Sequence, residues 1–420
     1  MKVSFLLGSG FSIPAGYPSV TSLSDLIRQI RAGGIYVASE GSSGLRKGFL
    51  SHLNNGTSTS YVEPEDQYTG NSTARKVLEA TIRYFYEHLG GGSYEELYDT
   101  LIQLKEGTVP DEFTAICREL GLATDADAED LTKDWSYRLH QGLFMAEKIF
   151  NQILGQILTT QSEDFLLPCY GKFCRLLARF SKTNDFWIHT LNHDLFLESL
   201  MDGSRDFTYG VDYSEGFEEL GSPFYGDYGG FKVRLRRYTG QYAEPVRLYK
   251  LHGSMDYWLF RENGPERGHY PPTVVQKNDV IAPYELYREV EKNGKLQYDR
   301  DITNYHPLFL SGVEYKKRWY EYPHFFQKLL ADFRDNLTKS DVLVIIGYGF
   351  KDEGINELLA DSMNDPDKKV LIIDKYPIIH SLVREEMLRL GGLEAFDFKE
   401  LEGLLDAPRP AIQIIGLYEE

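Results

Sequence analysis

The chain opens on an apolar run, "VSFLL", that breaks at once into the small residues "GSGFS". A short apolar run bounded by glycine predicts a buried strand closed by a tight turn, and "SVTSLSDLIRQI" predicts a helix after it. Residues 31–75 then lose their periodicity. Stretches such as "AGGIYVASEGSSG" and "NNGTSTSYVEPEDQYTGNST" predict a long excursion or a mobile flap without a core of its own. From about 76 to 180 the pattern is helical. Leu139, Leu143, Ala146, Phe150, Ile153 and Ile157 recur at spacings of four and three, which puts one apolar stripe along a helix. Such a stripe is core or a helix-packing surface. At 184 the rhythm changes to "NDFWIHTLNHD", a short strand and a polar turn. A loop-rich, tyrosine-heavy stretch leads to "VRLYKLHGSMDYW", a second strand-like run ending at a histidine–glycine pair. Near the end, "DVLVIIGYGFKDEGINELL" and "KKVLIIDKYP" carry continuously apolar runs, each expected to be followed by a helix. Parallel strands buried on both faces read this way.

These elements predict an α/β fold with a Rossmann-like parallel sheet, doubly wound, in a single domain over 1–420. Its core is built from 1–30 and 183–395, and 31–182 form an inserted loop and helical subdomain. Of the 420 residues 42% are apolar, enough for a sizeable core. Forty-five basic residues against 63 acidic ones give a formal charge of −18, which argues against a broad nucleic-acid surface. The one basic concentration is "KVRLRRY" at 232–238, which leaves room for a local patch facing a partner. Three cysteines, Cys117, Cys169 and Cys174, form no CxxC pair, so neither a two-CxxC zinc site nor a disulfide framework is expected, and no metal is. The N-terminus lacks the charge and apolar pattern of a secretory leader. No apolar run approaches the roughly 20 residues of a membrane span. A soluble cytoplasmic protein is the expectation.

The candidate chemistry lies at the ends of the predicted strands. The loop Gly8-Ser9-Gly10-Phe11-Ser12 sits between a strand and a helix. Glycines there let backbone N–H groups approach a pyrophosphate, aided by the positive end of a helix. Position 13 is Ile, so the third glycine of GxGxxG is missing, and a tight βα turn with no ligand is an equal reading. Gly347-Tyr348-Gly349, after "VLVII", carries the same ambiguity. Two such turns at strand ends are more informative than one, because ligands of open α/β sheets sit in that crevice. Asp374, ending "IID", reads as a ribose-binding carboxylate, a helix cap or a surface acid. In "TLNHD", Asn192 both donates and accepts, which suits a water or a ribose hydroxyl. An Asx turn starting the helix "LFLESL" would explain Asn192 or Asp194 equally well. His252 in "KLHGS" stands at another strand end.

Taken in order, GSGFS, TLNHD, KLHGS, GYGF and IID resemble the NAD-binding motifs of the sirtuin superfamily. The resemblance covers roughly 1–30 and 183–395, and residues 31–180 lie outside it. The "GYGFKDEGIN" form is similar in particular to the bacterial sirtuin-like effectors of anti-phage defence. Protein-deacylating sirtuins carry a four-cysteine zinc ribbon, which three cysteines cannot build, and an "FR" where this chain has "GYPSVTSL".

The resemblance to the defence effectors implies hydrolysis of NAD+ to nicotinamide and ADP-ribose, with NAD as substrate and no metal. It implies that Asn192 positions the water or a ribose hydroxyl and that His252 is the general base. Asp194 would orient the site or stabilise developing positive charge. Gly8, Ser9, Gly10, Ser12, Gly347, Tyr348 and Gly349 would hold the dinucleotide, with Asp374 on a ribose. NAD-dependent deacylation or ADP-ribosyl transfer, and a sensing subunit that binds NAD or ADP-ribose without turnover, are the alternatives. An NAD hydrolase must be held in check, so regulation through assembly is expected. The implied partners are further copies of the chain, with the helical stripe at Phe150 and Ile153 as an oligomer surface, and a HerA-type ring ATPase.

Overall fold

The computed structural model describes residues 1–37, 43–45, 72–122, 133–159, 167–202, 210–260, 273–277, 281, 285–299, 307–310, 312 and 324–406. The flap expected within 31–75 falls mostly on 38–42 and 46–71, outside the described residues. Its described parts are a 3₁₀ turn, Ala32–Gly34, the paired strands Ile35–Val37 and Ser43–Leu45, and the start of the helix at Ser72.

The core is a parallel sheet of seven strands: β1 Lys2–Leu7, β2 Asp185–Thr190, β3 Tyr213–Ser214, β4 Val246–Lys250, β5 Val342–Ile346, β6 Lys369–Asp374 and β7 Leu388–Leu390. Their spatial order is β7-β6-β5-β1-β2-β4-β3, and every pairing is parallel. The apolar runs alternate between two faces. Val3, Phe5 and Leu7 join one cluster with Phe173, Leu177 and Leu401, whereas Leu6, Leu343 and Ile345 join another with Phe326, Phe333 and Leu359. Helices therefore cover both faces, which is why β1, β5 and β6 read as unbroken apolar runs. The helix expected after β6 is replaced by the 3₁₀ turn Glu385–Met387, which leads directly into β7. Helices α6 (Pro168–Phe180), α7 (Phe196–Asp202), α10 (Gly392–Ala395) and α11 (Phe398–Asp406) pack on the first face. Helices α8 (His324–Lys339) and α9 (Glu353–Asn364) pack on the second.

A separate helical core is built by α1 (Val20–Arg28), α2 (Ser72–His88), α3 (Tyr94–Glu106), α4 (Asp111–Glu119) and α5 (Lys133–Thr159). All six residues of the apolar stripe are buried in it, with Phe150 at 1% and Ile153 at 0% exposure. The stripe is therefore interior, and the reading of Phe150 and Ile153 as an oligomer surface is replaced by packing within the chain. Two elements sit across the boundaries drawn from the sequence. Leu23, Leu26 and Ile27 of α1 pack into the helical core, and α6 packs on the sheet.

The tyrosine-heavy stretch is more ordered than its composition predicts. It supplies four strands to two antiparallel four-stranded sheets, which are completed by four strands that follow β4. One contains Phe217–Glu218, Arg236–Tyr238, Tyr257–Phe260 and Thr273–Gln276. The other contains Phe224–Tyr228, Phe231–Arg234, Leu286–Lys292 and Lys295–Asp299. The basic run at 232–238 is engaged within these sheets. Lys232 pairs with Asp227 at 2.7 Å, Arg234 donates to the Ser222 carbonyl at 2.7 Å, and Arg236 donates to Glu215 at 3.1 Å.

Candidate functional site

The chain runs from β1 to β2 on one side of the sheet and returns to β5 on the other side of β1. The crevice beyond the C-terminal ends of β1 and β5 is thus the topological switch point, where open α/β sheets take ligands. Both glycine turns lie there. The Gly8 N–H donates to the Ile346 carbonyl at 2.9 Å and the Gly10 N–H to the Gly347 carbonyl at 3.0 Å. A Cβ on Gly8 would lie 2.5 Å from the Gly347 oxygen, and one on Gly10 would lie 2.6 Å from the Gly347 Cα. The glycines allow one turn to press its backbone on the other.

This geometry changes the expected role of the first loop. The Phe11 and Ser12 amides close short turns onto the Gly8 and Ser9 carbonyls, both at 3.0 Å. The amides of Gly8 and Gly10 are committed to the second turn, so they are not the pyrophosphate donors that the sequence suggests. Two 3₁₀ turns, Ser9–Phe11 and Ile13–Ala15, intervene before α1, whose own N-terminus is capped by Ser19. Among the described residues, the amides of Ser9, Tyr348 and Gly349 donate to no backbone carbonyl. Ser9 and Gly349 are exposed at the mouth of the crevice. The Tyr348 side chain points into the fold. Its hydroxyl donates toward Asn356 Oδ1 at 2.8 Å and the Asp352 carbonyl at 3.0 Å, and burial holds the phenol well above its usual pKa.

Asn192 joins the first turn to the end of β2. Its Nδ2 donates to the Gly8 carbonyl and to Ser12 Oγ, both at 3.0 Å. The amide oxygen then remains for a ligand, as an acceptor. Asp194 takes the Asx-turn role: its Oδ1 accepts the Phe196 N–H at 3.1 Å and so starts α7. Burial raises its pKa, opposed by the nearby Lys250 ammonium. Asp374 ends β6, one strand beyond β5, half-buried, with Oδ1 accepting the Tyr376 N–H at 3.0 Å. Gly8, Ser9, Gly10, Ser12, Gly347 and Asn192 are brought together, whereas Asp374 stands farther along the sheet edge.

His252 is buried at the end of β4. Its carbonyl accepts the Leu310 N–H at 2.7 Å. Gly253 follows with φ +81°, and a Cβ there would meet the Leu308 oxygen at 2.3 Å, so glycine is required to turn the chain. The His252 ring faces groups that the motif reading passes over. The His193 ring centroid is 6.1 Å away, and Asp352 Oδ2 lies 3.4 Å from Nε2. Asp352 carries a sequence signal as the cap of "EGINELL", but its contact with His252 depends on the strand order.

A buried polar network adjoins these turns. Lys250 Nζ donates to Glu198 Oε1 at 2.7 Å and to the Asp194 carbonyl. Gln276 Nε2 bridges Glu215 Oε2 at 3.1 Å and Asp256 Oδ2 at 2.7 Å. Burial pulls the Lys250 ammonium toward neutrality, but Glu198, Asp256 and Asp194 outweigh it and hold its pKa above the ordinary value. Burial, with Glu215 and Asp256 nearby, pushes Glu198 up to about 8 against the pull of Lys250. Among the described residues no group of three or more His, Cys, Asp or Glu could hold a metal ion, and no helix is long and apolar enough to cross a membrane. No protein-family model matches the chain, and no curated protein matches it.

Proposed function

We propose that the crevice at the β1–β5 switch point binds NAD+ and hydrolyses its nicotinamide–ribose bond. The observation that carries this reading is the convergence of both glycine turns and Asn192 at one sheet edge, with His252 on the same edge. The sirtuin-like order of the motifs supports the choice of ligand.

On this reading, the Ser9, Tyr348 and Gly349 amides supply the donors for the pyrophosphate, and the free oxygen of Asp374 accepts from a ribose hydroxyl. The C1′–N bond breaks and its electron pair leaves with neutral nicotinamide through an oxocarbenium-like state. The oxygen of one water forms the new bond to C1′, and its proton passes to His252. Asn192 Oδ1 holds that water or a ribose hydroxyl in line, so that the gain comes largely from positioning. Asp194 acts by shaping the turn that carries Asn192. Depletion of NAD+ in anti-phage defence, self-assembly and a HerA-type ring ATPase as regulator belong to the same proposal.

The test is chromatographic. NAD+ is incubated with the wild type, Asn192→Ala and His252→Ala, each with and without the ring ATPase, and nicotinamide is quantified. Release by the wild type that falls at least about a hundredfold in both variants supports the reading. Equal release by all three would remove Asn192 and His252 from the chemistry.

A further inference from the structure

We propose that Asp352 is the positioning residue for His252, a role that rests on the hydrolase reading above and adds a residue to its site. Asp352 divides its two carboxylate oxygens between two tasks. Oδ1 accepts the Ile355 N–H at 3.2 Å and caps α9, while Oδ2 lies 3.4 Å from His252 Nε2. The Asp352 carbonyl is held in turn by the Tyr348 hydroxyl at 3.0 Å. With one oxygen fixed by the helix and the backbone fixed by Tyr348, the second oxygen has little freedom to leave the imidazole. The histidine is anchored equally well: its side chain is 5% exposed, its carbonyl holds the Leu310 N–H, and Gly253 sets the turn behind it.

The contact joins distant parts of the sheet. Asp352 follows β5 and His252 follows β4, and β1 and β2 lie between them. At about 4.8 Å per strand, the two strand ends are roughly 14 Å apart. The carboxylate–imidazole contact therefore reaches across the edge that carries the first glycine turn and Asn192. Any ligand in the switch-point crevice lies beside it.

The chemistry follows from which nitrogen faces the acid. A carboxylate at Nε2 favours the tautomer protonated there, which makes Nδ1 the basic nitrogen of the ring. It also stabilises the imidazolium formed when Nδ1 takes a proton from water or a ribose hydroxyl. A separation of 3.4 Å is long for a hydrogen bond in the free enzyme, and such contacts shorten in the reacting complex. Among the described residues, His193 is a second titratable ring that faces His252.

Capping and charge separate cleanly at this position. Asn is as good an N-cap as Asp, so Asp352→Asn keeps α9 capped while an uncharged amide replaces the carboxylate that faces His252. The first readout needs no NAD+. The His252 ring is followed by NMR through a pH titration, its signal assigned by its loss in His252→Gln. The midpoint drops by about one pH unit in Asp352→Asn, with thermal stability unchanged. The second readout is kinetic: kcat falls about a hundredfold in Asp352→Asn while KM for NAD+ changes less than about threefold, and Asp352→Glu recovers part of the loss. An unchanged His252 midpoint overturns the positioning role whether or not NAD+ is cleaved. A midpoint lowered in Asp352→Asn, alongside a wild type that never cleaves NAD+, leaves the coupling in place and overturns the hydrolase reading.

Discussion

Gly347 has φ +61°, and a Cβ there would lie 2.4 Å from Gly10 Cα. Both the backbone conformation and the contact exclude a side chain. Gly347→Ala is expected to cost about 2–4 kcal/mol, read as a lower urea midpoint with an unchanged slope; a cost under about 0.5 kcal/mol would show that the two turns can separate freely. At Glu198 the folded pKa of about 8 stands above the ordinary 4.5. A carboxyl raised on folding contributes stability that is fully present below about 4.5 and is lost as pH rises through about 8. Glu198→Gln removes that dependence. Its melting temperature relative to the wild type should therefore climb between pH 5 and 8.5, and parallel curves would assign the proton elsewhere. The sequence marks Asn192 and His252 as polar residues at strand ends. It is silent on Asp352 as the neighbour of His252, because only the order of β5, β1, β2 and β4 brings that carboxylate to the imidazole.

Among the elements, β1, β5 and β6 are legible because each is buried on both faces and so reads as an apolar run, whereas β2 (DFWIHT) and β4 (VRLYK) carry polar residues and are marked by shorter apolar segments and the polar turns that follow them. The antiparallel sheets are less legible. Phe231–Arg234 is exposed along its whole length, and Phe217–Glu218 is only two residues long, so neither carries a period that marks a strand. The helical block is readable as helix, but its stripe does not say what covers it. The answer is the chain's own helices: α5 packs on α2 and α3, and Ile153 is fully buried. Ile153→Ala is expected to lower stability by about 2–5 kcal/mol without changing the size of the folded species on a sizing column. Loss of an oligomer with stability intact would return the stripe to an interface role.

For the whole molecule, a seven-stranded doubly wound sheet and a helical core are joined through α1, which leaves the first glycine turn and enters the helical packing. The sheet places its switch point where both glycine turns meet. The same fold hosts many chemistries, so the proposal of NAD+ hydrolysis rests on the site and on the order of its motifs. The most direct test is the product balance of the purified wild-type chain with NAD+, alone and with the ring ATPase. The account predicts nicotinamide and free ADP-ribose in equal amounts, with no mass added to the protein. NAD+ left intact under both conditions by folded protein, or ADP-ribose recovered only as a protein adduct, would contradict it.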